Sequence, residues 1–202
     1  MPLGFGSFSG SNSFARIASG GKLYQIQNLI AYGSVPGEGT ITGNGTDTTS
    51  FFKTSGSASW GRTAVRDTTP YTAPVTVEFY KNATSTGYAM ISWNTDPETN
   101  ASYTDLDYAP YIYTSGSVRH YHNGANQGDT AVAHNTTKKF YLVYATDGYQ
   151  YLYWGSTMVR SFNRGTGLTV YLDTSFYSVS GTFSRFFNIR VIRKAWNGTD
   201  YV

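Results

Sequence analysis

The 202-residue chain contains no cysteine, which excludes disulfide bridges and thiolate chemistry. Its stability must therefore come from a packed core, and a chain of this length can bury a sizeable one. The absence of cysteine fits a protein that must function in both reducing and oxidising surroundings, such as one made in a bacterial cytoplasm and then released.

Charged residues are also scarce, at 13% of the chain, about half of the ~25% that is usual in globular proteins. The net charge is only +3, and no run of lysine and arginine interleaves with aromatic residues as in a nucleic-acid groove. No stretch approaches the roughly 18 apolar residues of a membrane-spanning helix. The first residues lack the basic and apolar regions of a signal peptide. We therefore expect no nucleic-acid partner, no membrane span and no signal peptide.

Aromatic and turn-forming residues are abundant, with 18 tyrosines, 12 phenylalanines and 22 glycines. Short β-branched and aromatic segments alternate with turn clusters, and Asp147-Gly148 is a strong hairpin signal. In residues 75–80 the alternation places Val75, Val77 and Phe79 on one face of a strand. No amphipathic helix of useful length occurs. The pattern predicts an all-β, antiparallel two-sheet sandwich or jelly roll. Further strands are predicted at residues 22–30, 49–53, 88–93 and 109–113, and in the second half of the chain.

Four passages from Tyr88 to about Ile192 resemble concanavalin A-like jelly-roll modules of the laminin-G and SPRY kind. They are YAMISWNTDPETNASYTDLDYAPYIYTSGSVRHYHNG, KKFYLVYATDGYQYLYWGSTMVRSF, GLTVYLDTSFYSVSG and FFNIRVI. Such modules occur in phage virion proteins and bacterial surface adhesins. The resemblance covers about half of the chain and implies a lectin-like sandwich and a place in a phage particle. Because the strand pattern begins at Lys22, we expect the sandwich domain to span residues 22–202.

Residues 1–21 differ from the rest, because glycine and serine dominate and Phe5, Phe8 and Phe14 are spaced through them. Alone, such a segment buries too little apolar surface to offset its backbone entropy. We expect an extended N-terminal arm in which these phenylalanines and Arg16 dock against another chain, with folding back on its own domain as the alternative.

Four carboxylates are concentrated in residues 92–113, namely Asp96, Glu98, Asp105 and Asp107. The pair Asp105 and Asp107 could lie on one side of a strand, as a retaining glycosidase requires. Glycosidases that share this sandwich carry an E-x-D-x-x-E strand, and the sequence has none. Calcium ligation, with Asp96, Asp105 and Asp107 as ligands, is a second interpretation. The simplest is that the acids cap turns in a polar loop, so we expect neither an enzyme nor a cofactor.

Tyrosines are the stronger indication of function, because they alternate along strands and offer a ring face together with a hydroxyl group. One tyrosine face is either half of the core or a surface that binds sugars or protein. Trp60, Trp93 and Trp154 are interpreted as core residues. The candidate glycan-binding tyrosines are Tyr111, Tyr113, Tyr121, Tyr149, Tyr151 and Tyr153.

The first functional hypothesis is a non-enzymatic structural or decoration protein of a phage virion, in its capsid or tail. The arm would dock to other virion proteins, and the sandwich would face outward. Exposed sheet edges favour a homo-oligomer, because neighbouring copies can cover them. The alternative hypothesis is a carbohydrate-binding adhesin that recognises glycans on the host surface.

Overall fold

A computed structural model describes residues 26, 28–46, 48–81, 87–97, 100–114, 116–178 and 185–202. The described residues form fourteen strands and two short 3-10 turns, at Pro36–Glu38 and Tyr103–Asp105. The strands are β1 Leu29–Tyr32, β2 Gly39–Thr42, β3 Ser50–Lys53, β4 Ala64–Asp67, β5 Val75–Lys81, β6 Ala89–Asn94, β7 Tyr108–Thr114, β8 Ser117–His122, β9 Ala125–Ala131, β10 Phe140–Tyr144, β11 Tyr149–Trp154, β12 Thr157–Asn163, β13 Tyr171–Phe176 and β14 Arg185–Ile192.

Two antiparallel sheets pack face to face. One sheet has seven strands in the order β12-β11-β10-β5-β14-β3-β2, and the other has five in the order β13-β6-β7-β8-β9. The pair β1-β4 lies beside β13, where the Thr174 hydroxyl donates to the Val65 carbonyl and accepts from the Val65 amide, both at 2.8 Å. The predicted all-β antiparallel sandwich is confirmed.

The core lies between the two sheets and is largely aromatic. Phe79 stacks on Phe140 within the seven-stranded sheet, with ring centroids 5.7 Å apart. Phe176 of the five-stranded sheet meets Phe186 of the other at 5.9 Å. Trp93 is buried in this core, and its indole nitrogen donates to the Leu142 carbonyl of the opposite sheet at 2.9 Å. That hydrogen bond satisfies the one polar group of the indole and links the two layers.

The alternation predicted for residues 75–80 is confirmed, since Val75, Val77 and Phe79 all belong to the buried core. The hairpin at Asp147-Gly148 is also confirmed, because β10 pairs with β11 across it. Gly148 there has a φ of +84°, which glycine adopts without steric cost.

Sequence reasoning missed three strands, at Gly39–Thr42, Ala64–Asp67 and Ala125–Ala131. The last of these is a mostly exposed edge strand that pairs only with β8. Its sequence, ANQGDTA, lacks hydrophobic alternation, because neither of its faces packs into the core. The other two are only four residues long and lie beside turn-forming segments.

A buried arginine closes one end of the sandwich. The side chain of Arg164, which follows β12, is only 2% exposed. Its guanidinium donates to the Trp93 carbonyl, to Oε1 of Gln150 and to the Asp107 carboxylate. Gln150 in turn donates to the Tyr108 carbonyl at 2.7 Å. The network therefore joins strands of both sheets to the loop that precedes β7.

The predicted arm, with Phe5, Phe8, Phe14 and Arg16, lies outside the described residues, as does most of the strand predicted at residues 22–30. Ile26, which is described, packs in the core. Across the part of the chain that the structure describes, no helix is long and apolar enough to cross a membrane.

Replacing the buried arginine should destabilise the fold. We expect Arg164→Leu to lower the free energy of unfolding by about 3 kcal/mol, because the change leaves buried acceptors without their charged donor. Urea denaturation of the purified protein measures the loss. The matched control is Arg119→Leu, which breaks a half-exposed ion pair with Asp129 and should cost less than about 1 kcal/mol. Equal, small losses for both variants would contradict the prediction.

Candidate functional site

The outer face of the five-stranded sheet is covered. Met90, Ser92 and Asn94 alternate with the core residues of β6 and so point away from the core, yet all three are buried. The cover is the segment 95–107, of which residues 98 and 99 lie outside the described part; we call it the cover loop. Its Ala101 carbonyl accepts from the Ser175 hydroxyl on β13 at 2.7 Å.

Two glycines let the cover loop lie close to its neighbours. A Cβ atom on Gly33 would come within 2.8 Å of the Ala101 side chain, and one on Gly124 within 2.9 Å of Thr104. Both have positive φ angles, +114° and +76°. A side chain at either position would therefore be strained and would push the cover loop away from the sheet.

Beside the cover loop, the same face forms an aromatic pocket of about 290 Å³. Its walls come from four strands or strand ends, from the cover loop and from the loop before β4. The seven lining residues include no charged side chain. They are Trp60, Tyr88, Met90, Tyr103, Tyr111, Tyr121 and Tyr177.

The rings of the pocket contact one another at steep angles. Trp60 lies 5.1 Å from Tyr103, 5.9 Å from Tyr111 and 5.3 Å from Tyr177, with interplanar angles of 56°, 75° and 49°. Tyr121 meets Tyr103 edge-on at 5.3 Å. Such tilted and edge-to-face contacts are favourable between aromatic rings. They make the pocket a box of rings rather than a flat platform.

The Trp60 loop is tied down by a buried carboxylate. Glu38 pairs with Arg62, two residues beyond the tryptophan, and with Lys53 at 3.3 Å. The Lys53 ammonium also donates to the Ser57 carbonyl at 2.6 Å. The Arg62 guanidinium holds the pKa of Glu38 below its usual value. These bonds fix both ends of the segment that carries Trp60.

Polar side chains border the pocket on the side of β8 and β9. Arg119 lies directly opposite Tyr111 in the sheet register, and Asp129 lies opposite Arg119. Directly opposed residues project to the same face. The guanidinium and the carboxylate form a two-bond pair at 2.7 and 3.1 Å, each about one-third exposed. The pocket thus has an aromatic interior and a polar rim.

Asp173 on β13 is the acid most deeply placed on this face. It is fully buried and accepts from the Tyr32 hydroxyl at 2.7 and 2.8 Å and from Asn94 Nδ2 at 3.1 Å. Burial raises the pKa of Asp173 to about 7, against the hydrogen bonds that favour its ionised form. Burial also raises the pKa of the Tyr32 phenol, and the adjacent carboxylate adds to this shift.

The acids of the cover loop bond within and around the loop. Asp105 ends the 3-10 turn and accepts from the amide and the side chain of Asn100 at 3.1 and 3.2 Å. Asp107 accepts from Thr95 and pairs with Arg164. The alternative interpretation, in which Asp105 and Asp107 share one side of a strand, does not fit the structure, because Asp105 lies in the 3-10 turn and the two carboxylates have different partners.

As metal ligands, the cover-loop acids do not come together within the described residues. Asp96 is exposed, and Glu98 lies outside the described part of the chain. Over the residues that the structure describes, no three histidine, aspartate or glutamate side chains are grouped so that they could hold a metal ion.

Five of the six candidate tyrosines have described side chains, and these lie on opposite sides of the sandwich. Tyr111 and Tyr121 line the pocket on the five-stranded sheet. Tyr149, Tyr151 and Tyr153 form a row on the outer face of the seven-stranded sheet, with successive ring centroids 5.8 and 6.2 Å apart. Tyr113 belongs to β7, but its side chain lies outside what the structure describes.

The other pocket residues were not identified from the sequence as candidates for binding. Trp60, interpreted as a core residue, is partly buried and packs against a second hydrophobic cluster, which includes Met90 and Tyr111, on the outer face of the five-stranded sheet. Strand alternation could have suggested Tyr88 and Met90, which share a face with Ser92. No comparable signal marks Trp60 or Tyr103, because each comes from a loop.

Solved structures with the concanavalin A-like jelly roll share this fold, which confirms the resemblance inferred from the sequence. A β-glucanase of Bacillus licheniformis is 9% identical, with a TM-score of 0.53 over 88% of this chain and 100% of that chain. The SPRY domain of human HERC1 is 15% identical, with a TM-score of 0.52 over 78% and 95%. A Crh5 transglycosylase is 10% identical, with a TM-score of 0.52 over 87% and 93%. At such low identity the likeness shows the fold alone.

No protein-family model matches the sequence, and no curated protein sequence matches it either.

The raised pKa of Asp173 has a measurable consequence for stability. Between about pH 4 and about pH 7 the folded protein keeps a proton that the unfolded chain has lost, so this group makes the free energy of unfolding fall as the pH rises. The fall is at most about 1.4 kcal/mol per pH unit and ends near pH 7, where both states are ionised. We expect Asp173→Asn to remove this component.

Urea denaturation of both proteins at several pH values between about 4 and about 8 tests the expectation. The difference between wild type and Asp173→Asn cancels the other titrating groups, because they are common to both proteins. A difference that does not change with pH would contradict the assigned pKa.

Proposed function

We propose that this protein is a carbohydrate-binding module that holds a glycan on the outer face of its five-stranded sheet. The observation that carries the proposal is the aromatic pocket with a polar rim. Sugar rings have apolar C–H faces that pack on aromatic side chains, and hydroxyl groups that need hydrogen-bond partners. The aromatic side chains of the pocket interior can pack on the C–H faces, and the neighbouring Arg119 and Asp129 can bond to the hydroxyl groups.

The size of the pocket supports one small ligand group. Its volume of about 290 Å³ lies at the lower end of the roughly 300–1,000 Å³ typical of ligand sites. That space suits one sugar ring or one substituent, with the rest of the glycan on the open surface beyond Arg119. The walls are held in place by the Glu38–Arg62 pair and by the bonds of the cover loop, so little ordering is required on binding.

We further propose that binding is not followed by hydrolysis. A glycosidase needs two carboxyl groups on opposite sides of the scissile bond, about 5 Å apart in retaining enzymes and roughly 6.5–9.5 Å in inverting ones. The seven residues that line the pocket include no carboxylate. Asp173 is buried and accepts hydrogen bonds from Tyr32 and Asn94, and Asp129 at the rim is paired with Arg119. This arrangement favours binding over catalysis.

Two of the proteins with this fold are named as a β-glucanase and a transglycosylase. Their activities are not transferred to this chain, since the likeness extends only to the fold. The proposal rests instead on the pocket, and the fold relatives make a carbohydrate ligand a reasonable class to test first.

A virion context is the second part of the proposal and rests on sequence alone. The glycine- and serine-rich residues 1–21, with Phe5, Phe8 and Phe14, suit an anchor that docks to other virion proteins. In a phage particle, the sandwich would display its pocket toward host surface glycans. Several copies together would raise the avidity of a weak single site.

Removing one wall of the pocket should weaken glycan binding. We expect Tyr121→Ala to weaken binding by about tenfold or more, because a stacked aromatic ring typically contributes about 1 kcal/mol or more and its hydroxyl adds a hydrogen bond. A glycan array with the purified protein identifies the ligand, and titration calorimetry measures the affinity.

The matched control is Tyr151→Ala, which removes a tyrosine from the opposite sheet. It should bind like the wild type if the pocket is the site. The proposal fails if no glycan binds, or if the two variants bind alike.

Deleting residues 2–20 tests the virion context separately. We expect the truncated protein to remain folded and to keep its glycan affinity, since the described core begins at Ile26. It should no longer be incorporated into phage particles, as measured by immunoblotting of purified virions from complemented infections. Normal incorporation of the truncated protein would contradict the role of the arm.

A further inference from the structure

The interior of the aromatic pocket is unusual for a site that holds only a sugar ring. All of its lining side chains are aromatic except Met90, and none is charged. A sugar ring carries hydroxyl groups around its whole edge, and each buried hydroxyl without a partner costs free energy. The polar groups carried by the seven lining residues are phenol hydroxyls, the Trp60 indole N–H and one thioether. The stronger hydrogen-bonding groups, Arg119 and Asp129, lie at the rim.

The ring geometry indicates a different kind of guest. Trp60 is inclined at 49° to 75° to three neighbouring tyrosines, and Tyr88 meets Tyr111 at 74°. Rings set at such angles line the pocket from several directions, while one side of it stays open to solvent. The face of each ring carries partial negative charge, so a ring box attracts a cation without any carboxylate.

The kind of cation follows from the absence of a carboxylate among the lining residues. A primary ammonium or a guanidinium has several N–H donors, for which the lining offers only neutral phenol oxygens as acceptors. A quaternary ammonium has no N–H group, is weakly hydrated at its methyl surface and spreads its charge over those methyl groups. The apolar methyl groups also suit contact with Met90 and with the ring faces.

We propose that the interior of this pocket binds a quaternary trimethylammonium group, carried as a choline-type substituent on the glycan. The inference rests on the proposed function, because it assigns the glycan itself to the polar rim and the substituent to the box of rings. Arg119 at the rim is placed to attract the phosphate of a phosphocholine group, while Asp129 orients the guanidinium. The ligand class is therefore a phosphocholine-substituted saccharide.

Two ligands of the same shape test whether the positive charge of the ligand contributes to binding by the wild-type protein. Choline and its neutral carbon analogue, 3,3-dimethylbutan-1-ol, have the same shape and differ in the central atom. We expect choline to bind about tenfold or more tightly than the neutral analogue, because only the cation gains from the ring faces. Titration calorimetry with each probe gives the two affinities. Equal affinities, or no binding of choline, would overturn the proposal.

Two variants of Tyr121 distinguish the contribution of its aromatic ring to choline binding from the contribution of its hydroxyl group. Tyr121→Phe keeps the ring and should bind choline like the wild type, whereas Tyr121→Leu removes the ring and should lose about tenfold or more in affinity. Tyr153→Leu, on the opposite sheet, is the matched control and should bind choline normally. A loss in Tyr121→Phe as large as that in Tyr121→Leu would show hydrogen bonding by the phenol instead, and would overturn the cation assignment.

The source of the trimethylammonium group is tested by comparing ligands that carry it. A phosphocholine-conjugated saccharide should bind more tightly than the same saccharide without phosphocholine, and phosphatidylcholine vesicles should not sediment the protein. Vesicle binding in preference to the conjugate would overturn the assignment to a glycan substituent.

Failure of this inference is distinguishable from failure of the proposed function. If unsubstituted glycans bind in a Tyr121-dependent way and choline does not, only the quaternary ammonium inference fails. If choline binds and no saccharide, substituted or not, improves on it, the pocket assignment stands and the carbohydrate function fails. If neither binds, both fail.

Discussion

The buried guanidinium of Arg164 is the interaction on which the site depends most. It contacts the backbone of β6 through the Trp93 carbonyl, the side chain of Gln150 on the other sheet, and Asp107 at the end of the cover loop. A buried charge is costly unless its hydrogen-bond partners stay in position. The fold therefore keeps the acceptors close to the guanidinium, and the guanidinium in turn fixes the segments that carry them. Without this anchor, the cover loop would lose its link to the opposite sheet. The wall that Tyr103 contributes to the pocket would then lose its support.

The cover loop explains why the site exists at all on an otherwise ordinary sheet face. Met90 and Asn94 project outward from β6, where residues of a two-layer sandwich would normally meet water. The loop buries them and, at its border, leaves the space between Trp60 and Tyr121 unfilled. The same arrangement desolvates Asp173 and raises its pKa to about 7. The aromatic pocket and the raised pKa of Asp173 therefore both follow from the covering of this sheet face.

Much of the fold could be predicted from the sequence, because a period of two fixes the side of a strand that faces the core. The alternation in residues 75–80 and the Asp147-Gly148 turn lead directly to paired strands. The exposed strand β9 could not be predicted, since nothing hydrophobic marks it. Only part of the candidate site could be predicted from the sequence. Tyr111 and Tyr121 were identified, whereas Trp60 joins them through contacts between residues about 50 positions or more apart, which no local pattern encodes.

The acids of residues 92–113 show why a conspicuous sequence feature need not be the functional one. In a chain with few charges, Asp105 and Asp107 stand out, yet Asp105 bonds to Asn100 within the loop and Asp107 pairs with Arg164. Their hydrogen bonds and ion pair hold the cover loop, which supports the walls of the pocket. The proposed binding chemistry belongs to uncharged rings, which are inconspicuous in a sequence with 18 tyrosines. On a fold that hosts many functions, the proposed function therefore rests on the side chains of this one face and not on the fold.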